Sequence, residues 1–496
     1  MGTKRSKWSY AVGCTGRDLG YVLVTLFFIT YVQYTNLVNT SQFLVLTGIF
    51  VLCRIWDAIN DPMMGTIIAN TRSRFGKYRP WVLIGCLTNA VVLALMFTVR
   101  VEVGEQIDTL GWWNVVILGS LYLFWGMTYT INDVSYWSLL PVLSEDKKDR
   151  DRLTTMVTVF ASLGAFISGG IVPIITTGNM VLGYRLVGIS FAAVFVFCQL
   201  LVFFLTHDNP EDTFMISQEA MAREKKEKSV TLRDMVTILM RNQQLLVMAL
   251  VVLLYTTASS FLNIFGQNFF YFKYGYDGRR IFLFTVIYAV STLLSQAIYP
   301  LLAGRFKRMK IVEISTIVIA AGYFLFFVFA NLPLTAAISF PLLCFAGVCV
   351  FSGQGVFYMA MLIMLTNTIE YDEWKNGQRN EAITFSVRPF MVKLSGAVQS
   401  LMLSAVLVSC GLYGIINQVG IIETAIAKGE ISQTAAVSQI TAFLQAATGG
   451  QMLALTLCMT LIPMLLILGS RLVIKKKYMI SEELYTQMLK EIRERK

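Results

Sequence analysis

Histidine and charged residues are scarce in this sequence. His207 is the single histidine among 496 residues, and only 14% of the residues are Asp, Glu, Lys or Arg. One histidine excludes the multi-histidine metal sites of many enzymes, and a proton pathway would have to run through carboxylates. Hydrophobic residues make up 56% of the chain, and the mean hydropathy is +0.63. So few polar groups cannot cover a soluble protein of this size, and the composition predicts an integral membrane protein.

Two sequence patterns that would indicate other functions are absent. The cysteines lie in apolar segments without metal-binding spacing, and we expect small buried hydrophobic side chains rather than disulfides or zinc ligands. They are Cys14, Cys53, Cys86, Cys198, Cys344, Cys349, Cys410 and Cys458. The sequence has no G-x-x-x-x-G-K-[ST] loop, which argues against an ATP-driven pump. No cofactor is expected.

Apolar runs of about 18 residues or more predict transmembrane helices. Twelve such spans are predicted, at residues 14–38, 42–69, 81–100, 113–141, 153–178, 184–206, 243–272, 281–303, 311–331, 333–366, 382–416 and 451–473. A charge-rich stretch separates six spans from six, and the basic loops after spans 2 and 8 echo each other. This all-α layout of two pseudo-symmetric six-helix bundles resembles that of major-facilitator transporters.

The corresponding domains follow from these boundaries. We predict an N-terminal bundle at 1–206, a cytoplasmic linker at 207–242, a C-terminal bundle at 243–473 and a cytoplasmic tail at 474–496. The region 417–450 is expected to hold a short interfacial helix. The tail is expected to form an amphipathic helix with its apolar positions at Ile480, Leu484, Met488 and Ile492.

The distribution of basic residues predicts the orientation. Most of the 41 Lys and Arg residues fall in segments that share a side if both termini are cytoplasmic. The net charge of +11 therefore reflects topology and contact with anionic lipid, and it does not indicate nucleic-acid binding. We expect a multi-pass monomer in the cytoplasmic membrane of a bacterium.

The apolar segment 43–69 contains one cation and two carboxylates. Arg54, Asp57 and Asp61 are spaced i, i+3, i+7, so they share one helix face, which cannot point at lipid. Carboxylate oxygens and the amide oxygen of the neighbouring Asn60 suit a small hard cation such as Na⁺, and the carboxylates could also bind a proton. Arg54 would offset part of their repulsion. The alternative is a buried salt-bridge network that only holds helices together.

Span 4 combines a hydroxyl, a carboxylate and an indole on one face, from Thr130, Asp133 and Trp137. A carboxylate can accept hydrogen bonds from two neighbouring sugar hydroxyls while an aromatic face packs on the C–H surface of the ring. This pattern favours a carbohydrate ligand. The alternative is an isolated buried acid beside an interfacial tryptophan.

Further charged residues lie in spans 1 and 11. Arg17 and Asp18 are adjacent in span 1, and Lys393 lies deep in an apolar part of span 11, where it needs a carboxylate partner. The candidate partners are Asp57, Asp61 and Asp133. Arg388 is nearer the cytoplasmic end of span 11, where contact with lipid phosphate and a binding role are both open.

Five motifs carry a family resemblance. Residues 54–65 (RIWDAINDPMMG), 71–81 (TRSRFGKYRPW) and 125–133 (WGMTYTIND) resemble the melibiose-permease branch of the glycoside–pentoside–hexuronide:cation symporter family. Residues 368–375 (TIEYDEWK) and 391–393 (MVK) are similar to later motifs of that family. The resemblance implies a major-facilitator fold and sugar uptake driven by Na⁺, Li⁺ or H⁺ through alternating access.

The resemblance also implies roles for individual residues. Asp57 and Asp61 would hold the cation with Asn60 and Thr130 nearby, and Arg54 and Lys393 would couple the cation site to the sugar site. The residues implied to contact the sugar are Arg17, Asp18, Asp133, Trp137, Tyr358 and Arg388.

Three positions depart from the melibiose-permease pattern. Thr158 stands where the family has an arginine, Tyr358 where it has a tryptophan, and Arg388-Pro389 where it has a Gln-Thr pair. These changes argue against melibiose itself. If Arg388 faces the cavity, an acidic sugar such as a hexuronide becomes a candidate substrate.

The sequence therefore predicts a cation–sugar symporter and not an enzyme. Its expected partners are a sugar, a monovalent cation and membrane lipids. Two alternatives remain open: a lipid or lysolipid carrier of the same fold, and an intramembrane enzyme that binds Mg²⁺-diphosphate. The first would need an apolar side opening, and the second would need another acidic cluster.

Overall fold

The computed structural model describes residues 3–71, 73, 75–144, 147–206, 240–377 and 381–495. His207 and most of the predicted linker lie outside these ranges. Every regular element in the described ranges is helical. The α-helices are α1 (Lys4–Val22), α2 (Phe28–Tyr34), α3 (Thr40–Ala69), α4 (Arg79–Thr98), α5 (Ile107–Leu143), α6 (Lys147–Thr176), α7 (Met180–Leu205), α8 (Gln243–Ser259), α9 (Phe261–Tyr274), α10 (Gly278–Ala303), α11 (Arg308–Asn331), α12 (Ala336–Asn376), α13 (Glu381–Ser409), α14 (Leu412–Lys428), α15 (Gln433–Gln445), α16 (Gly449–Lys477) and α17 (Glu482–Arg495).

Among the described residues, twelve helical segments are long and apolar enough to cross a membrane, which confirms the predicted number of spans. Span 1 combines α1, a π-helical turn (Leu23–Phe27) and α2, and span 7 combines α8 and α9. Spans 2 to 6 are α3 to α7, spans 8 to 11 are α10 to α13, and span 12 is α16.

Several span boundaries differ clearly from the predicted ones, and span 10, for example, ends at Asn376 and not at residue 366. Span 1 begins at Lys4, ten residues before the predicted start, with Thr3 capping the helix by accepting a 3.2 Å hydrogen bond from Ser6 N. Ser6 and Ser9 are buried in protein, so a hydropathy average does not recognise this part of the span. Span 11 ends at Ser409 and not at residue 416, because Gly411 turns the chain with a φ of 69° that other residues rarely adopt.

The described residues pack into two compact units. Unit 1 comprises residues in 1–227, 270–282 and 400–447, and unit 2 comprises residues in 228–269, 283–399 and 448–496. Unit 1 thus contains spans 1 to 6 together with the turn between spans 7 and 8 and the connection between spans 11 and 12. The predicted functional division into 1–206 and 243–473 stays a prediction.

In unit 1, an aromatic pair holds span 1 against span 4. Tyr10 and Tyr136 are fully buried and stacked, with ring centroids 4.3 Å apart. Tyr10 Oη donates a 2.7 Å hydrogen bond to the carbonyl of Tyr136, and Tyr136 Oη donates to the carbonyl of Tyr10. This reciprocal arrangement fixes the register of the two helices, and Arg17 lies two turns further along span 1.

In unit 2, the predicted tail helix is present as α17. Ile480 and Met488 are buried against Tyr371 near the end of span 10. Trp374 Nε1 donates a 2.6 Å hydrogen bond to Glu491 Oε2. The tail therefore packs on the span that carries the 368–375 motif.

All eight cysteines are free thiols, and the four in spans 1 to 6 are buried as expected, whereas Cys344, Cys349, Cys410 and Cys458 are only partly buried. Cys14 has a polar contact as well, because its Sγ donates to Asp18 Oδ2 at 3.1 Å.

Candidate functional site

The charged face of span 2 is buried inside unit 1. Arg54 Nη1 lies 3.5 Å from Asp57 Oδ2, and the two side chains are 9% and 7% exposed. The guanidinium also lies over two rings of span 4, 5.4 Å from the centroid of Tyr122 and 5.5 Å from that of Trp125. Span 4 therefore supplies aromatic faces that replace part of the water around this cation.

Asp57 packs directly against the backbone of span 4 at Gly126. A Cβ atom built on Gly126 would lie 2.5 Å from Asp57 Oδ1, closer than real side-chain contacts allow. Only glycine lets the carboxylate approach this closely. The narrow contact positions Asp57 between Arg54 and span 4.

Asp61 contacts span 4 one turn further along. Thr130 Oγ1 donates a 2.9 Å hydrogen bond to Asp61 Oδ1, and Thr130 is buried. The amide nitrogen of Asn60, the residue before Asp61, is buried without a protein hydrogen-bond partner. A carboxylate and a hydroxyl thus meet at the interface of spans 2 and 4.

This set of groups suits a monovalent cation. Within the described ranges, no group of three or more His, Cys, Asp or Glu side chains could hold a metal ion. Besides the carboxylates, the Thr130 hydroxyl and the Asn60 amide oxygen are the oxygen ligands that the sequence proposes for a cation. The structure joins Thr130 to Asp61 and Arg54 to Asp57, and the cation site itself stays a prediction.

A second polar cluster lies between spans 1 and 4. Arg17 is 3% exposed, and its Nη1 lies 2.8 Å from Asp133 Oδ1 while its Nη2 lies 3.0 Å from Asp18 Oδ2. One guanidinium thus bridges two carboxylates on neighbouring helices. Both carboxylates remain partly exposed, at 21% for Asp18 and 36% for Asp133, so they can still accept hydrogen bonds from a ligand.

Aromatic rings complete this cluster. The Arg17 guanidinium lies 4.8 Å from the centroid of Tyr136 and 5.2 Å from that of Trp137. Trp137 is exposed, which leaves part of its indole available to a ligand. The structure therefore brings Arg17, Asp18, Asp133 and Trp137 together as the sequence predicts.

Aromatic side chains also connect the two clusters. Tyr21 of span 1 lies 4.9 Å from Tyr129 and 5.9 Å from Trp125, measured between ring centroids, and Trp125 lies 5.6 Å from Tyr129. These rings contact one another between the Arg54 face and the Arg17 cluster. Span 4 therefore takes part in both clusters, through its interface with span 2 at Asp61 and its interface with span 1 at Arg17.

Three of the predicted residues lie in unit 2. Arg388 is exposed, its guanidinium lies 5.5 Å from the ring centroid of Tyr358, and its Nη2 donates a hydrogen bond to Tyr358 Oη. Lys393 lies partly buried in the same helix, α13. Its predicted pairing with a carboxylate of span 2 or span 4 stays a prediction.

Thr158, which replaces the family arginine in span 5, is exposed in unit 1. Its hydroxyl donates a 2.9 Å hydrogen bond to the carbonyl of Thr154 within the same helix. Thr158 therefore supplies no positive charge at the position where the family has an arginine.

Four contact residues were not predicted: Tyr122, Trp125, Gly126 and Tyr136. Gly126 precedes Thr130 by one helical turn, so the spacing that identified Thr130 could have placed Gly126 on the same face. Tyr122 lies one further turn back on that face. Nothing in the local sequence distinguishes Tyr136, whose ring lies under Arg17 because spans 1 and 4 are neighbours.

Comparison with known proteins identifies the family. Residues 9–481 match the family described as MFS/sugar transport protein. The lactose permease of Lactobacillus delbrueckii subsp. bulgaricus is 28% identical over 422 residues, covering 82% of this chain and 63% of the permease. The glucuronide carrier protein homolog of Escherichia coli (strain K12) is 25% identical over 398 residues, covering 78% of this chain and 80% of that protein. The chain thus spans less than two thirds of the length of the lactose permease.

A solved structure supports the fold. The crystal structure of a bacterial homolog of the human lysosomal transporter Spinster, inward-facing and unoccupied, matches with a TM-score of 0.63 at 13% identity, covering 97% of this chain and all of that one. At this identity the match concerns the fold alone, and it confirms the major-facilitator architecture. With bacterial relatives and twelve spans, the protein is a multi-pass protein of the inner membrane. The chain belongs to the MFS/sugar transport protein family, within the glycoside–pentoside–hexuronide symporters of the major facilitator superfamily.

Proposed function

We propose that this protein is a secondary active transporter that couples uptake of a sugar to entry of Na⁺, Li⁺ or H⁺ by alternating access. Both termini face the cytoplasm in this proposal, as the basic residues predict. Membership in a family of transport proteins argues against the Mg²⁺-diphosphate enzyme. The partly exposed Asp18 and Asp133 favour a hydroxyl-rich ligand over a lipid.

One observation carries the proposal: a single helix contributes to both clusters. Thr130 of span 4 bonds to Asp61 in the carboxylate face, and Asp133 of the same span bonds to Arg17 in the second cluster. Three residues of an α-helix rise about 4.5 Å along its axis. A shift of span 4 that adapts Thr130 to a cation therefore also moves Asp133, which gives the two ligands a physical connection.

The cation step follows from the charges on span 2. Asp57 and Asp61 carry two negative charges, and Arg54 supplies one positive charge next to Asp57. A monovalent cation or a proton supplies the second, which lowers the repulsion between the two carboxylates of span 2 and leaves no uncompensated charge at their contact with span 4. Because coupling between binding sites is reciprocal, the bound sugar then raises the affinity for the cation by the same factor.

The sugar step uses the Arg17 cluster. Asp18 and Asp133 accept hydrogen bonds from neighbouring hydroxyls, Arg17 holds both carboxylates in position, and the Trp137 indole packs on the C–H face of the ring. Cation binding one turn away keeps Asp133 oriented toward the sugar.

Arg388 bears on the substrate class. Its exposed guanidinium is held on Tyr358 and offers paired N–H donors that suit a carboxylate. Of the relatives described above, one is named for a neutral sugar and one for a glucuronide. A hexuronide, such as a glucuronide, is therefore our preferred substrate class, with a neutral glycoside or pentoside as the alternative.

Uptake into membrane vesicles tests the proposal. Labelled galactosides, pentosides and glucuronides are offered with and without an inward Na⁺ gradient, and at external pH 5.5 and 7.5. We expect one class of sugar to accumulate only with a cation gradient. The variant Asp61→Asn should bind sugar but lose cation stimulation, whereas Glu105→Gln, an exposed acid of the same unit, should behave like wild type.

Unchanged Na⁺ and pH dependence in both Asp57→Asn and Asp61→Asn would contradict the assignment. Accumulation of a labelled lysolipid in place of any sugar would support the lipid-carrier alternative. Because Asp57→Asn leaves Arg54 buried without its partner, its thermal stability is measured first, and Asp61→Asn carries the conclusion if Asp57→Asn does not fold.

A further inference from the structure

The connection between spans 11 and 12 forms two helices, α14 and α15, that belong to unit 1. They lie at the ends of the spans remote from Lys4, which we call the distal end of unit 1. Tyr413 Oη donates a 3.1 Å hydrogen bond to the carbonyl of Val38 at the end of span 1. A Cβ atom on Gly420 would lie 2.6 Å from Asn36 N, so α14 packs closely on the turn after span 1.

A glutamate lies at the centre of this contact. Glu423 of α14 is fully buried. Its Oε2 accepts a 2.5 Å hydrogen bond from the backbone N–H of Met180, the first residue of span 6. Its Oε1 accepts a 2.6 Å hydrogen bond from Tyr276 Oη, in the turn between spans 7 and 8. A single carboxyl group therefore connects α14 to two other parts of the distal end.

No cation compensates this carboxylate in the part of the chain that the structure describes, since none of the observed ion pairs includes Glu423. The charged side chains on the adjoining elements either contact residues other than Glu423 or are exposed. Lys428 pairs with Glu102 at 3.1 Å, Arg280 with Asp277 at 3.9 Å, and Arg100 Nη2 donates to Thr35 O at 3.2 Å and Thr424 Oγ1 at 3.4 Å. Arg185, Arg279 and Glu430 are exposed, and α15 contains no charged residue.

Burial without a counter-ion favours the neutral acid. It raises the pKa of Glu423 to about 7, although the hydrogen bonds from Tyr276 and Met180 lower the pKa in part. A neutral carboxyl still accepts these two hydrogen bonds, although less strongly than the carboxylate does.

We propose that Glu423 binds a proton when α14 and α15 close over the distal end of unit 1, and that this proton stabilises the closed arrangement. Opening the distal end exposes Glu423 to water and releases the proton. The proposal does not depend on the sugar or on the coupling cation at Asp57 and Asp61. It adds a proton-binding site that lies outside the membrane-spanning segments, separate from the proposed cation site on span 2.

The pH dependence follows from the raised pKa. With a pKa of about 7 in the closed arrangement and an ordinary one near 4.5 in the open one, the stabilisation is fully present below about pH 4.5. It falls as the pH rises toward 7 and is lost above that. Over this window the ratio of open to closed forms rises by up to roughly two orders of magnitude.

Hydrogen–deuterium exchange of the full chain in lipid nanodiscs tests this. Protection factors of peptides covering 412–428 and 274–280 are measured between pH 5 and 8.5 without sugar, after correction for the intrinsic pH dependence of exchange. In the wild type, protection should fall as pH rises toward 7. In Glu423→Gln it should stay near the low-pH value of the wild type at every pH. Glu430→Gln, an exposed acid just beyond the same helix, should keep the wild-type profile.

Tyr276→Phe provides a second test. It removes a donor that stabilises the charged carboxylate, so the midpoint of the transition should move to higher pH. A wild-type profile in Glu423→Gln, or a flat profile in the wild type, would overturn the proposal. If Glu423→Gln does not fold, an unshifted midpoint in Tyr276→Phe overturns it instead. Asp61→Asn should leave the profile unchanged, which separates this result from the outcome for the transport function.

Discussion

Thr130 Oγ1 donates a 2.9 Å hydrogen bond to Asp61 Oδ1, and this bond joins span 4, with the carboxylate proposed to bind sugar, to span 2, with the carboxylates proposed to bind the cation. Thr130 is buried, so water does not compete for the hydroxyl. The bond is therefore the shortest described connection between the two proposed binding functions.

Replacing Thr130 by valine should weaken cation activation while leaving the helix intact. The valine keeps the shape of the side chain and loses the hydroxyl, and a hydrogen bond to a charged group contributes about 1.5–3 kcal/mol. We expect the cation concentration for half-maximal uptake to rise roughly tenfold or more, by the same estimate. Thr130→Ser should restore it.

Thr158→Val is the matched control for this change, because that hydroxyl bonds only to a carbonyl of its own helix. An equal loss of cation activation in Thr158→Val and Thr130→Val would show that the effect is not specific to Asp61. Uptake is measured across a series of Na⁺ and proton concentrations.

A single methyl group at Gly126 should disturb the other carboxylate. The Cβ atom of Gly126→Ala would lie 2.5 Å from Asp57 Oδ1, so Asp57 must move away from span 4 and Arg54. Overpacking of this kind costs about 1–3 kcal/mol, which corresponds to roughly tenfold weaker cation activation. Gly119→Ala tests the same helix at a site where the nearest atom is the Ile49 side chain at 3.1 Å, and it should have a smaller effect.

Arg17→Lys should impair sugar binding more than cation binding. A lysine offers one point charge and cannot bridge Asp18 and Asp133 while lying over Tyr136. The loss of one charge-assisted hydrogen bond, about 1.5–3 kcal/mol, predicts a KM for sugar raised roughly tenfold or more. Arg152→Lys, at an exposed arginine of span 5, should leave KM unchanged. The assignment fails if sugar binding by purified Arg17→Lys, followed by calorimetry, equals that of wild type.

Sequence alone predicts the helices well because membrane spans must be long and apolar. All twelve spans were found that way. The start of span 1 was missed since Ser6 and Ser9 are polar but buried in protein. Hydropathy depends only on the type of each residue, whereas the start of this span depends on whether its polar residues are buried against other parts of the protein.

From residue spacing alone, the site could be predicted only where its residues lie on one helix, and the grouping of residues from different helices came from the family resemblance. The spacing of Arg54, Asp57 and Asp61 identifies their common face directly. The contacts of Asp57 with Gly126 and of Arg17 with Asp133 depend on which helices are neighbours, and no local pattern records that. Glu423 falls in a region expected to be a mildly polar connection, and only its packing shows a buried acid.

The tail helix should stabilise unit 2 through one buried side chain. Met488 is fully buried against Tyr371 and Ile480, and truncating such a residue costs about 2–5 kcal/mol. We expect Met488→Ala to speed trypsin cleavage within α17 strongly. Thr486→Ala, at an exposed position of the same helix, should change the rate little. Equal cleavage rates in the two variants would indicate that α17 does not depend on this contact.

Arg388→Gln should change the selectivity for substrate charge. The guanidinium is exposed and held on Tyr358, so it can pair with the carboxylate of a glucuronide but has no equivalent partner on a galactoside. A charge-assisted hydrogen bond of about 1.5–3 kcal/mol predicts that the kcat/KM ratio of glucuronide to galactoside falls roughly tenfold or more. Tyr358→Phe keeps the ring under Arg388 and should lower the ratio less, and Arg305→Gln, an exposed arginine of unit 2, should not lower it. Equal losses for both sugars in Arg388→Gln would assign Arg388 to the structure of unit 2 and would leave the neutral glycosides as the substrate class.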